Sequence, residues 1–443
     1  MARTLAVLAE GSRLTDYISL GVIAKFFPRR DVDEVLAESG KQSQRQRHLP
    51  AHMMVYYVLA LGLYMRVSCE EVLRCLLQGI NFLLAEDRPV HVASHTAITK
   101  ARERLGKEPL RLLHDRLVKP IATRSTQGAF YGDWKLVSLD GSTMEVPDTE
   151  GNATYFGKPT GSGENRSYPQ FRFVSVVENG THVLIASRLG PYATSELELA
   201  PDLIKTLKKG MLCLADRFFY SYTLWQKAVA TGAELIWRVK KNLTLPRLQE
   251  LKDGSYLSRL PAPSSEDPEI AVRVVEYTLP GIEDAEPLYR VITTLLDPQR
   301  APAEEVAALY HERWEIENAL DELKTHLKGP KVTLRSKLPE LVEQEFYGLM
   351  MTHYAIRALM HEAALHAARD PDELSYTHAV NVVRRWLPWV VVSPPPAATE
   401  ATPDRHRGTA QQTRRVKPRT PQPTNSQTDQ DALPAAPRTS EED

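Results

Sequence analysis

The sequence predicts an α/β protein in which a mixed-sheet core carries a β-rich insertion and follows an α-helical N-terminal domain. Three observations predict it. Up to about Phe130 apolar residues recur at helical spacing, from Trp134 the period becomes alternating or continuously apolar, and from Pro302 the helical period resumes. The division that follows is residues 1–130 for the helical domain, 131–240 for the first part of the core and 241–303 for the insertion. Residues 304–393 form the remainder of the core with the C-terminal helices, and 394–443 a disordered tail.

Length and composition bound the answer. A chain of 443 residues exceeds one ordinary core. The start "MARTLAVLAEGSRLTDY" has no basic segment followed by an apolar run, so no secretory leader is expected. The longest apolar run, Met53 to Met65, falls short of the ~20 residues that span a bilayer. It reads as a buried helix, and no membrane partner is expected. Cys69, Cys75 and Cys213 form no Cys-x-x-Cys pair, which argues against a disulfide framework or structural zinc site and suits a cytoplasmic protein. The net charge of −1 announces no polyanion partner, yet residues 1–130 hold 19 Lys and Arg against 13 Asp and Glu, with Arg29, Arg30, Lys41, Arg45 and Arg47 clustered. A basic subdomain on a neutral chain suits a local polyanion footprint, and it also suits ordinary fluctuation.

The helical domain contains "SHTAITKARERLG", with Ser94 as N-cap, basic residues on one side and a terminating Gly106. Such a helix could enter a major groove, though a plain surface helix is the more ordinary reading. If it meets DNA, Arg102 and Arg104 are its contacts. "KLVSLDGSTMEV" reads as a strand, an Asp-Gly turn and a returning strand, and "QFRFVSVVE" and "HVLIASRLG" as two more. "SELELAPDLIKTLKKG" is a helix ending at Gly210, "MLCLADRFF" a buried strand, "SYTLWQKAVATGA" a helix capped by Ser221, and "ELIWRVK" a strand. Short β-like runs and Pro/Ser-rich loops fill 241–303, and a long amphipathic helix or pair spans "LPELVEQEFYGLMMTHYAIRALMHEAALHAAR". The basic stretch "RHRGTAQQTRRVKPR" in the tail reads as solvated linker.

Chemistry concentrates in three places. Asp140 follows "LVSL" and Asp216 follows "MLCLA", so each stands at the carboxyl end of a buried strand. A lone aspartate there usually starts a turn, whereas two in one mixed sheet can converge on a hard cation. The third place is "YHERWEIENALDELK". At about 100° per residue, Tyr310, Arg313, Glu317 and Lys324 fall on one strip roughly 60° wide. The strip adjoins the apolar face made by Leu309, Ile316, Leu320, Leu323 and Leu327. Glu312, Glu315 and Glu322 fall opposite and are expected in solvent. Glu317, and more marginally Asp321, lies on the strip, and Glu317 is the candidate third carboxylate. A local Glu317–Arg313 ion pair and a metal site flanked by phosphate-gripping cations both fit this wheel.

The spacing Tyr310-x-x-Arg313-x-x-x-Glu317-x-x-x-x-x-x-Lys324 resembles the tyrosine–arginine–glutamate–lysine signature of bacterial insertion-sequence DDE transposases, the IS-four-like family. "SLDGSTMEVPDT" and "LCLADRFFYSYTLWQ" resemble the family's other two motifs, in the same order, and the resemblance covers roughly residues 15–390. It implies an RNase H-like fold. It implies that Asp140, Asp216 and Glu317 are the catalytic residues and bind two divalent cations, Mg²⁺ or Mn²⁺. It implies that Tyr310, Arg313 and Lys324 contact DNA phosphates, with Trp314 a candidate for stacking on an unpaired base. The implied reaction is metal-dependent cleavage of double-stranded DNA at terminal inverted repeats, with hairpin formation and strand transfer into target DNA by a homodimeric synapse. Phe218 departs from the small residue that often follows the second motif's Asp-Arg, which places packing near Asp216 in question. An RNase H-like nuclease without strand transfer, and a transposase-derived DNA-binding protein, are the competing functions.

Overall fold

The computed structural model describes residues 18–45, 49–83, 90–159, 167–279, 286–330 and 332–385. The first seventeen residues, where no leader is expected, Arg47 and the tail at 394–443 lie outside these residues.

Among the described residues the first elements are six helices: α1 (Ile18–Phe26), α2 (Arg29–Glu38), α3 (Ala51–Leu63), α4 (Cys69–Leu83), α5 (His95–Leu105) and α6 (Glu108–Leu117). The signals read for α5 hold, since the Ser94 side chain accepts a hydrogen bond from the Ala97 N–H and Gly106 ends the helix at φ 73°. The apolar run forms α3, in which every residue from Met54 to Leu63 is buried. It is buried against α12 (Pro339–Ala367), the long C-terminal helix. Two glycines set that crossing. A Cβ on Gly62 would lie 2.8 Å from the Thr352 Oγ1, and one on Gly348 only 2.7 Å from the Val58 carbonyl oxygen. The helices meet backbone to backbone, and N-terminal helices, sheet and α12 share one apolar core.

Among the described residues the sheet has ten strands: β1 (Phe130–Tyr131), β2 (Trp134–Glu145), β3 (Gln170–Glu178), β4 (Val183–Pro191), β5 (Met211–Ala215), β6 (Glu234–Arg238), β7 (Gln249–Glu250), β8 (Tyr256–Leu260), β9 (Ile270–Tyr277) and β10 (Tyr289–Thr293). Their order is β4-β3-β2-β5-β6-β10-β9-β8-β7, with β1 paired to β2. The β4-β3-β2 meander is antiparallel and β2, β5 and β6 are parallel. Parallel neighbours need crossover helices. These are α8 (Glu196–Ile204) before β5 and α9 (Tyr222–Val229) before β6, while α7 (Glu150–Phe156) lies between β2 and β3. Ser195 and Glu198 close a capping box at α8, and Ser221 caps α9 as its sequence predicts. The strands within 241–303 continue this sheet, because β10 pairs antiparallel with β6.

One expectation fails. Asp140-Gly141 makes no turn. It lies inside the single twelve-residue strand β2. The reason is the partner edge, where β3 stays paired from Glu178 to Gln170, with Asp140 opposite Ser175 and Gly141 opposite Val174. A strand whose ladder continues on one side has no cause to reverse.

Candidate active site

Two aspartates emerge side by side because one strand outlasts its neighbour. The parallel pairing of β2 with β5 ends at Leu139 opposite Ala215. The next residues are Asp140, still in the sheet, and Asp216, in the loop after β5. Asp140 is therefore at the end of the parallel pairing rather than the end of its strand. Its Oδ1 accepts the Gly141 N–H at 2.8 Å.

The helix that meets them is less regular than the wheel assumed. After Pro302 the chain forms α10 (Ala303–His311), a 3₁₀ turn at Glu312–Trp314, α11 (Glu315–Asp321) and a π-helical segment at Glu322–Leu327. The signature strip still converges on the aspartates. The Tyr310 hydroxyl donates to Asp216 Oδ1 at 3.1 Å, and Arg313 Nη1 donates to Asp140 Oδ2 at 3.1 Å. Arg313 Nη2 reaches Glu317 Oε1 at 3.5 Å. Lys324 Nζ donates to Ser142 Oγ at 2.9 Å, two residues along β2 from Asp140 and so on the same face. Arg313 thus bridges two of the predicted carboxylates, and Tyr310 holds the third.

Burial sets the electrostatics. It pushes the Asp140 carboxyl up against the opposing pull of Arg313, and it pushes Glu317 up too, again opposed by Arg313. It raises the Tyr310 phenol, helped by Asp216, and lowers the Lys324 ammonium. The Arg313 guanidinium resists its own burial because Tyr310, Asp140, Asp216 and Glu317 surround it. Its buried Nε has no hydrogen-bond partner among the described residues. Trp314 is 45% exposed, with the Arg313 guanidinium 5.9 Å from its ring centroid. Phe218 is 58% exposed, so it does not crowd Asp216, and Arg217 lies over its ring.

Several expectations need correcting. Of the three glutamates placed in solvent, only Glu312 is there. Glu322 is 2% exposed and takes a two-pronged contact from Arg357 of α12, while the Glu315 carboxylate accepts the Gly180 N–H. The helix is covered on its second side by α12 and by the turn at Pro371–Glu373, a fact that no wheel contains. Arg102 is no free DNA contact either. It is 5% exposed and donates to Gln344, Ser336 and the Leu341 carbonyl, tying α5 to α12. Arg104 and Lys100 are exposed.

Glu196 was missed by sequence reading. It is the first residue of α8, and its carboxylate rests on Gly141, where a Cβ would lie 2.3 Å from its Oε1. Burial raises its carboxyl, and Asp140 and Asp216 raise it further. The only sequence signal is an acid in the first turn of a helix, which ordinary dipole stabilisation explains.

The donor set Asp140, Asp216 and Glu317 is all carboxylate oxygen, which fits a hard divalent cation. The one trio of ligand atoms within 4.8 Å of one another among the described residues is His182, Glu315 and Asp372. It does not suit a metal. Arg357 donates to His182 Nδ1, which puts the ring proton on Nε2, facing Asp372 Oδ1 at 3.3 Å.

Comparison with known proteins identifies the family. The family described as "Insertion element 4 transposase N-terminal" matches residues 17–115, and "Transposase DDE domain" matches residues 133–354. The chain is 30% identical over 366 residues to the transposase InsG for insertion sequence element IS4 of Escherichia coli (strain K12), covering 80% of each. It is 24% identical over 223 residues to the putative transposase InsZ of the same organism, covering 49% of this chain and 71% of that one. A solved structure, the cryo-EM structure of the piggyBac transposase synaptic complex with hairpin DNA, aligns at 12% identity and TM-score 0.42, over 93% of this chain and 88% of that one. The chain belongs to the IS4 family of DDE transposases, enzymes that cleave DNA and transfer its strands.

Proposed function

We propose that Asp140, Asp216 and Glu317 are the catalytic carboxylates of this transposase and hold two divalent cations, Mg²⁺ or Mn²⁺. The observation that carries the reading is Arg313, which touches Asp140 and Glu317 at once while its helix neighbour Tyr310 touches Asp216. Bound cations supply Lewis-acid activation of the attacking hydroxyl and charge relief at the leaving oxygen. The chain's own residues do the rest. Arg313 and Lys324 present donors beside the carboxylates, and Arg313 has a spare buried Nε–H for a phosphate oxygen. Release of Arg313 from Asp140 to a phosphate frees that carboxylate for a cation. Tyr310 holds Asp216 in place through its hydroxyl and is the third phosphate-side donor of the strip. Trp314, exposed beside Arg313, offers a face on which an unpaired base can stack.

The same reading assigns DNA ends to the helical region 1–130, through the exposed Lys100 and Arg104 of α5 rather than through Arg102. The remaining segments keep the roles of core (131–240 and 304–393), β-rich insertion (241–303) and tail (394–443). The partners are double-stranded inverted repeats and target DNA, engaged by a homodimer because two ends must be cut together. No helix among the described residues is long and apolar enough to cross a membrane.

The test uses duplex DNA carrying the inverted repeats that flank this gene, with Mg²⁺ or Mn²⁺. Wild type is expected to cut at the repeat boundary and, from a precut donor, to join the 3′ end to target DNA. Glu317→Ala should abolish both, and Glu304→Gln, a change at an exposed residue of α10, should alter neither. Cutting without joining would identify a nuclease instead, and retained cutting by Glu317→Ala would overturn the assignment.

A further inference from the structure

We propose that Arg66, Lys328 and Arg384 form a phosphate-binding pocket, outside the catalytic centre, that grips the backbone of the DNA duplex being cut. The inference rests on the reading of this chain as a transposase whose Lys324 meets DNA phosphates.

The pocket is built where three separate segments meet. Arg66 stands in the turn between α3 and α4, Lys328 directly follows the π-helical segment, and Arg384 is near the end of α13 (Tyr376–Arg385). Together they line a cavity of about 330 Å³. The turn that carries Arg66 is tied down by another residue. Arg335 donates to the carbonyls of Leu61, Tyr64 and Val67 and so satisfies the open end of α3. Gly329, at φ 101°, turns the chain after Lys328 and leaves room for the Arg66 guanidinium, whose Nη2 would lie 3.4 Å from a Cβ there. Arg66 thus has no holding task. It is exposed, so the cavity is open to a ligand from solvent.

The charges in the pocket want an acceptor. Among the described residues no Asp or Glu lines the cavity, and Arg66 has neither a hydrogen-bond acceptor nor an ion-pair partner. Arg384 reaches the Leu327 carbonyl only at 3.5 Å through Nη2, and its buried Nε has no partner. Lys328 donates to the Gly329 and Val332 carbonyls and keeps a third N–H. His326, also at the wall, is engaged by Asp321 and Thr377. Burial lowers the Arg384 guanidinium, and Arg66 lowers it further against the pull of Tyr376 and Tyr64. Burial lowers the Lys328 ammonium too, with Lys324 adding to it and the carboxylate of Glu145 opposing. Cations gathered in a concave site without an acid are relieved by an anion, and two guanidinium forks match the paired oxygens of a phosphate.

Position names the source of that phosphate. Lys328 follows Lys324 by about one helical turn and lies roughly 16 Å beyond Glu317 along the segment, at about 1.5 Å per residue. A duplex that reaches the carboxylates passes the pocket within about five nucleotides, at about 3.4 Å each.

The experiment measures DNA binding by the full-length protein without metal, so no turnover intrudes. Anisotropy of a labelled duplex carrying the inverted repeat is followed across salt concentrations for wild type, Arg66→Gln, Lys328→Gln and Lys324→Gln, and each Tm is recorded. Arg66→Gln and Lys328→Gln are each expected to weaken binding by roughly threefold or more and to reduce the salt slope by about one unit, with Arg66→Gln keeping the wild-type Tm. A second arm places one neutral methylphosphonate at a time in the duplex. One position should weaken wild type and leave Arg66→Gln as it was, because the variant has already lost that contact. If every neutralised phosphate weakens both proteins alike, the pocket holds no DNA phosphate and the proposal is overturned. A Tm rise with inorganic phosphate that Arg66→Gln loses, beside DNA binding like wild type, would assign the pocket to a free ion and overturns it as well. If Lys324→Gln weakens binding while Arg66→Gln and Lys328→Gln keep wild-type affinity and slope, this proposal alone falls. If Lys324→Gln is also without effect, the phosphate reading of the signature strip falls with it.

Discussion

Glu317 and Glu322 are five residues apart in one glutamate-rich segment, and removing each should fail in a different way. Glu322 is 2% exposed and so is Arg357, which donates to it through Nε at 2.8 Å and Nη2 at 2.7 Å. His353 beside them is fully buried and pushed down to about 3 by that burial, so it brings no compensating charge. Glu322→Ala leaves the Arg357 guanidinium buried without its counter-ion, which costs about 3–5 kcal/mol. Against a typical stability of 5–15 kcal/mol this is a large share. Urea denaturation followed by tryptophan fluorescence reads it well, because Trp225 and Trp237 are fully buried in edge-to-face contact. Glu317, with its side chain 44% exposed, has no such burden, so Glu317→Ala should keep the wild-type midpoint and lose DNA cleavage. Replacing both partners, Glu322→Leu with Arg357→Met, should recover most of the lost stability. A Glu322→Ala midpoint equal to that of Glu304→Gln would refute the reasoning, since the pair would then hold nothing.

Other consequences are as direct. Arg313→Ala should lower the salt dependence of binding to the element's ends by about one unit of slope, and should tighten Mn²⁺ binding because the competing cation is gone; weaker Mn²⁺ binding would contradict it. Glu315 is raised to about 9 by burial and by Asp372, so its contribution to stability is complete below its ordinary 4.5 and is lost as pH rises through about 9. Glu315→Gln should therefore stabilise the protein at pH 7 by up to about 3 kcal/mol and flatten its decline toward pH 9, as thermal melts across that range will show. Gly348→Ala should destabilise by about 1–3 kcal/mol, because its Cβ meets the Val58 carbonyl oxygen at 2.7 Å and backbone cannot step aside cheaply. An unchanged midpoint in that variant would mean that the α3–α12 crossing is looser than it stands here.

Much of the site was legible before any coordinate. Asp140 and Asp216 stood out because a charge after an apolar run demands an explanation, and Glu317 because it shares a strip with Tyr310, Arg313 and Lys324. Those relations are local in the chain, governed by strand alternation and helical pitch. The segment's 3₁₀ and π distortions did not erase them, because the contacts to β2 and to Asp216 hold the strip in place. What failed to be legible shares a cause. In the sequence Glu315 and Glu322 look like surface charges and Arg102 like an open DNA or surface contact, yet each is covered by an element distant in sequence: α12 for Arg102 and Glu322, the Gly180 turn for Glu315. Asp140-Gly141 looked like a turn because the partner edge supplied by β3 is invisible from the dipeptide.

The sequence alone singled out the candidate residues for chemistry, where helical and strand periods change, and which helix is too apolar to face water. These depend on side-chain chemistry and on repeat distances of a few residues. Tertiary structure decided what each charge faces. It put Arg313 between Asp140 and Glu317, carried Glu196 back from the start of α8 onto Gly141, and buried Glu322 against Arg357. Burial and pairing are properties of surfaces meeting across long loops, so no local pattern contains them.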